Sequence, residues 1–153
     1  MNIKSKPNIW ISDLTHTAQG ITAATFPLGV GCVFSYAKKE IGNDFDFKLF
    51  KFPSTLNESL LTKSPKMLCF SNFKWNFELS YKFAMLAKQR DPEIIIVFGG
   101  PNFPIDTKEK IEFFKKRPAI DFVVELEGEL AFVNLIKKLS DYNFEAKKLK
   151  KNG

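Results

Sequence analysis

Five short apolar runs separated by longer amphipathic stretches, at roughly 25 to 30 residues per unit, constrain this chain more than any other feature. The first run is Asn8 to Leu14, followed by a polar loop from Thr15 to Thr25. Pro27, a favoured first-turn residue, opens a helix to about Ile41 that turns Val30, Val33, Phe34 and Ala37 inward. The second run, Phe45 to Phe52, carries Phe45, Phe47 and Leu49 on one face and Phe50 and Phe52 on the other. Pro53 closes it, and a short helical stretch follows from about Leu56 to Thr62. The third run, Lys66 to Ser71, is almost wholly apolar, as a strand covered on both faces must be. A helix over Phe77 to Gln89 presents Leu79, Phe83, Leu86 and Ala87 as one stripe. The fourth run, Ile94 to Phe98, ends on Gly99-Gly100-Pro101-Asn102, and Thr107 is the expected cap of the next helix. A fifth run, Ile120 to Leu126, leads through Glu127-Gly128-Glu129 into a last helix ending near Tyr142.

Alternation of this kind is the pattern of crossover units in a parallel sheet. The expected fold is therefore α/β: a doubly wound, flavodoxin-like, five-stranded parallel sheet with helices on both faces. A chain of 153 residues suits one domain, placed here at residues 6–142, with a frayed basic tail or truncated linker at 143–153. The net charge of +6 is weak support for a nucleic-acid partner, because four lysines and one glutamate of that tail account for half of it. No apolar run reaches the length of a membrane span, and Met1 to Pro7 does not read as a secretory leader. Cys32 and Cys69 both sit in apolar runs, which predicts buried thiols rather than a disulfide framework, and a cytoplasmic protein.

In an open parallel sheet, ligands bind beyond the carboxyl ends of the strands. The unusual residues cluster there, in four loops. They are Asp13 with Thr15, His16, Thr17 and Gln19; Ser71, Asn72, Phe73 and Trp75; Gly99, Gly100, Pro101 and Asn102; and Glu127, Gly128 and Glu129. Each has an ordinary explanation beside the functional one. Gly99-Gly100 makes a tight turn or lets a ligand approach the backbone. His16, the only histidine, could ligate a metal or move a proton, or simply be exposed. Asp13 could line a pocket or cap a turn, and Glu127 and Glu129 could meet a ligand or the positive end of a helix. Phe73 and Trp75 could cover a planar ligand or pack at the core edge. Phosphate-loop and dinucleotide patterns, catalytic triads, carboxylate dyads and paired cysteine motifs are absent from the sequence.

Taken in order, these pieces resemble the N-terminal cobalamin-binding domain of B12-dependent radical SAM proteins, over roughly Ile9 to Leu139. The resemblance is carried by Asp13-Leu14-Thr15, Phe50-Lys51-Phe52-Pro53, and Phe70 to Asn76. It continues through Phe98 to Pro104, Ile120-Asp121-Phe122 and Glu127-Gly128-Glu129. In the wider family a Ser-x-Leu follows the third strand and a Gly-Gly the fourth. Ser71-Asn72-Phe73 and Gly99-Gly100 look like those elements, with Phe73 in place of leucine. The resemblance implies a nucleotide tail threaded between sheet and helices, a hydroxyl from Ser71 beside it, and room for its base at the two glycines. The loop Thr15 to Gly20 and the segment Glu127 to Glu129 would line the corrin side. A tryptophan at Gly100 is accordingly expected to block the ligand while sparing the fold.

Two departures refine that expectation. Members resembling methionine synthase carry Asp-x-His-x-x-Gly, whose histidine binds cobalt. Here His16 stands one place later, so cobalt without a histidine ligand is expected. The Cys-x-x-x-Cys-x-x-Cys motif of radical SAM enzymes is missing, so either the iron–sulfur cluster and SAM belong to a further or separate barrel, or the chain is a stand-alone or degenerate binding protein, and no catalysis by this chain alone is expected. The alternatives are an enzyme subunit or small-nucleotide binder on a flavodoxin-like scaffold, and a phospho-receiver regulator. The second is disfavoured by Ser71-Asn72 where a receiver needs an aspartate.

Overall fold

The computed structural model describes residues 5–17 and 26–152. Its strands are β1 (Asn8–Ser12), β2 (Asp46–Phe50), β3 (Met67–Ser71), β4 (Ile95–Gly99) and β5 (Phe122–Val124). They form one all-parallel sheet in the order β2-β1-β3-β4-β5. The helices between and after them are α1 (Leu28–Ile41), α2 (Pro53–Thr62), α3 (Phe77–Arg90), α4 (Thr107–Lys115), α5 (Gly128–Asp141) and α6 (Ala146–Asn152). The doubly wound, flavodoxin-like architecture expected from the alternation is the one observed.

The sheet is covered on both faces because strand alternation sends neighbouring side chains to opposite sides. Ile9, Ile11, Met67, Cys69, Ile95 and Val97 join α1, α5 and Leu149 of α6 in one core. Trp10, Phe50, Leu68, Phe70, Ile96 and Phe98 join Leu56 and Leu60 of α2 and Phe77, Ala84 and Ala87 of α3 in the other. All five residues of β3 are buried, which is why its sequence shows no polar alternation.

Several boundaries differ from expectation for local reasons. Pro53 does not merely close the second strand; it is the first residue of α2, where a missing N–H costs nothing. Asp106, not Thr107, caps α4: its carboxylate accepts the amides of Lys108 and Glu109 at 2.9 and 3.0 Å. The fifth strand is only three residues long, and Leu126 beyond it turns away at φ 60°. Cys32 is exposed rather than buried, while Cys69 is buried as expected.

The basic segment after Tyr142 does not fray. Asn143 and Phe144, at φ 52° and 58°, reverse the chain, and α6 folds back with Leu149 buried beside Ile136 and Leu139. Its Lys150 lies 2.9 Å from Oδ1 of Asp121, and Lys88 of α3 lies 2.7 Å from Oδ2. Oδ2 also accepts the Ile96 amide at 2.9 Å, so one carboxylate ties α3, β4 and α6 together. Burial by itself would raise the Asp121 pKa, but the Ile96 amide and the two ammonium groups together hold it below the ordinary carboxylate value.

A group whose folded pKa is depressed contributes stability that is present above its unfolded pKa and is lost as pH falls through the folded one. Asp121→Asn should therefore cost about 1–2 kcal/mol near neutral pH, allowing for the exposure of Lys150. The deficit relative to the parent should shrink as pH drops below about 4. Urea denaturation of both chains from pH 7 downward measures it, and a deficit independent of pH would refute this role.

Candidate functional site

Side chains that share a face of the sheet form two layers near its carboxyl edge. Ile11, Cys69 and Val97 stand side by side in the lower layer, with Ser71, Gly99 and Val124 in the layer above. Against them come Val30 and Val33 of α1 and Phe132 of α5. Between sheet and helices lies an open, mostly apolar cavity of about 520 Å³. That size lies within the range of small-molecule sites, about 300–1,000 Å³.

Gly99 holds the cavity open. It continues the row of Ile95 and Val97, and any larger residue would project a side chain between sheet and helices. A Cβ placed there meets only ordinary contacts, the nearest being the Val124 carbonyl at 3.5 Å. Gly100 has a different reason to be glycine. Its φ of +126° belongs to a region L side chains rarely adopt, and a Cβ would stand 2.8 Å from the carbonyl oxygen of Asn72. Gly100→Trp would therefore strain the turn itself, which corrects the expectation that it would spare the fold. Gly128 lets the start of α5 approach α1, since a Cβ there would lie 3.0 Å from Val33.

A buried polar network braces the strand ends. The Ser71 hydroxyl donates to Oδ1 of Asp13. Asn76, wholly buried, donates from Nδ2 to that same oxygen at 3.0 Å and to Ser71 Oγ at 2.8 Å. Its own Oδ1 accepts the Phe73 amide at 2.9 Å. Ser71 thus lines the cavity with its proton already engaged. Asn72 and Asn102 form a second lock beside the Gly99-Gly100 turn. Asn72 Nδ2 donates to the Asn102 carbonyl at 2.9 Å, and Asn102 Nδ2 donates to Asn72 Oδ1 at 3.1 Å.

The mouth is apolar and flat-walled. Phe73 and Trp75 stack at 4.6 Å and 6°. With Phe26, Leu28 and Leu126 they line the cavity, and Trp75 and Leu126 are 62% and 96% exposed. Exposed apolar residues gathered at one mouth make it a candidate contact surface. Leu126 is held in a left-handed conformation unusual for a leucine, a form of strain that concentrates at functional sites.

Of the residues singled out from sequence, Asp13, Thr15, Ser71, Phe73, Trp75, Gly99, Gly100, Glu127, Gly128 and Glu129 line this cavity. His16, Thr17, Asn72, Pro101 and Asn102 do not. Gln19 lies outside the described residues. His16 sits at the surface, its Nε2 donating to the Trp75 carbonyl at 2.9 Å. Sequence reasoning did not single out Lys51, Phe26, Leu28 or Leu126 as site residues. Lys51 stood inside a motif carrying the resemblance, which could have drawn attention to it; the three apolar residues carry no chemical signature. Among the described residues, no three His, Cys, Asp or Glu side chains are grouped so as to hold a metal ion. Nor is any described helix long and apolar enough to cross a membrane.

Comparison with known proteins agrees with this fold. Residues 20–136 match the family model of the B12 binding domain. The chain is 33% identical over 129 residues to a 2-(S-pantetheinyl)-carbapenam-3-carboxylate methyltransferase of Streptantibioticus cattleyicolor, covering 80% of this chain and 18% of that protein. It is also 33% identical over 121 residues to the cobalamin-dependent radical SAM methyltransferase TokK of Streptomyces tokunonensis, covering 76% of this chain and 17% of the relative. The chain thus spans under a fifth of the length of these relatives.

The two adjacent glycines should behave differently on substitution. Gly100→Ala is expected to lower stability by about 1–3 kcal/mol through backbone strain, and Gly99→Ala by well under 1 kcal/mol. Chemical denaturation compares them, and a Gly100→Ala chain as stable as the parent would contradict the account of the turn.

Proposed function

Because this chain belongs to the B12-binding domain family, we propose that it holds cobalamin at the carboxyl ends of its strands, with the nucleotide tail in the cavity beside Gly99. The observation that carries this reading is the cavity itself. It is an apolar slot reaching down between sheet and helices, and a Cβ at Gly99 would project into it. The residues present fit such a group: a deep apolar part for the tail, and a broad apolar rim with the Phe73–Trp75 stack for a flat macrocycle.

Within this reading Gly99, Ser71, Phe132 and Val33 surround the tail, while Trp75, Phe73, Leu126 and the Glu127–Glu129 segment face the corrin. Gly100, Asn72, Asn102 and Asn76 position the loops. The cobalt takes no histidine from this chain. Supporting that, His16 is exposed and lies outside the cavity lining, with its Nε2 engaged by the Trp75 carbonyl. Bound cobalamin supplies a cobalt centre able to carry a methyl group. The role of this chain is to bind it, exclude water from the tail and leave one face of the macrocycle open.

The chemistry itself we assign to a radical SAM domain, in the same or a separate chain, that would contribute the iron–sulfur cluster and SAM. Support comes from the relatives named above and from the exposed apolar rim, which a neighbouring domain could cover. The free thiols of Cys32 and Cys69 are compatible with a cytoplasmic setting.

Titration with hydroxocobalamin followed by desalting tests the reading, with retained corrin absorbance expected. Gly99→Trp should weaken retention by about tenfold or more by overfilling the slot, and His16→Ala should leave the visible spectrum of the bound form unchanged. A parent chain that desalts colourless would overturn the proposal. A spectrum altered by His16→Ala would restore the histidine as a ligand.

A further inference from the structure

The floor of the cavity is chemically narrower than its mouth. Ile11, Cys69 and Val97 form one row across β1, β3 and β4, and Val33 and Phe132 close it from the helices. Those three strands are all interior to the sheet, so their backbone N–H and C=O groups are paired with strands on both sides. The backbones of Val33 and Phe132 lie within helices and are likewise occupied. The one polar group among the five side chains is the Cys69 thiol, a weak donor. Ser71 and Asp13 stand nearer the mouth, bonded to one another and to Asn76.

We propose that this floor makes the site selective for the lower base of the cobamide, favouring a base with few polar edges, such as dimethylbenzimidazole or a phenol, over a purine. The inference rests on the reading of the cavity as the seat of the nucleotide tail. An adenine has an exocyclic amine and several ring nitrogens. Placed against this row, they would give up water and find no partner among these five residues, and an unpaired buried polar group costs far more than its hydrogen bond would contribute. The methyl groups of dimethylbenzimidazole, or the ring and methyl of para-cresol, gain from the same apolar walls.

Cobamides carrying dimethylbenzimidazole, para-cresol or adenine are compared by equilibrium dialysis against the 153-residue chain. Cresol cannot coordinate cobalt and adenine does so weakly, so that pair reports the preference of the floor with little contribution from detaching the base. The cresol and dimethylbenzimidazole forms should bind about tenfold or more tightly than the adenine form. Val97→Thr and Cys69→Ser each add a hydroxyl to the floor and should narrow the ratio by about threefold. Equal binding of all three, or tighter binding of the adenine form, would overturn the selectivity while leaving the cobalamin reading intact. Binding of none would overturn both. A folded hydroxyl variant with an unchanged ratio would put the base away from this floor, and so would also overturn the inference.

Discussion

Parallel strands cannot be joined by a tight turn, because each new strand must begin where the last one began. That constraint shapes the molecule. Every strand is followed by a helix that carries the chain back, so all five strands release it at the same edge. The order β2-β1-β3-β4-β5 adds a second consequence: the chain winds one way from β1 to β2 and the other way from β3 onward. The loops after β1 and β3 therefore diverge to opposite faces, and a crevice opens between them. Asp13, Ser71 and Asn76 meet at that divergence and stitch the two loops together.

The site is made as much by what is missing as by what is present. Gly99 supplies a gap in an otherwise filled row of side chains, and Gly128 allows α5 to start close to α1. Around the gap, rigidity comes from groups that do not reach the cavity at all. The Asn72–Asn102 pair holds the turn in which Gly100 takes up its φ of +126°.

Polarity is graded along the cavity. The strained, exposed Leu126 and the stacked Phe73–Trp75 pair lie at the mouth, the braced hydroxyl and carboxylate below them, and the apolar row at the floor. Opposite this edge, Asp121 ties α3 and α6 to the start of β5. One end of the domain thus carries an apolar opening and the other a set of ion pairs, with burial lifting the Cys69 thiol pKa so that it stays protonated in between.

The architecture was legible in the sequence because it depends on local patterns. Apolar runs such as Ile94 to Phe98, punctuated by Gly99-Gly100, report burial and strand ends directly, and the edge of the sheet carrying the site follows from topology. The division of roles within each loop was not legible. Gly99 and Gly100 are adjacent and chemically identical, yet one leaves a cavity and the other permits a turn, because their φ angles and facing neighbours differ. Asn72 and Ser71 look equally suited to a ligand, but strand alternation turns one into a lock and the other toward the cavity. The basic tail read as solvated from its charge, whereas Leu149 and Lys150 fold it onto partners distant in sequence. Composition and spacing determined which elements form and which edge they present. Only tertiary packing decided which side chains reach the cavity, since that depends on contacts between residues some sixty positions apart, as between Asp13 and Asn76.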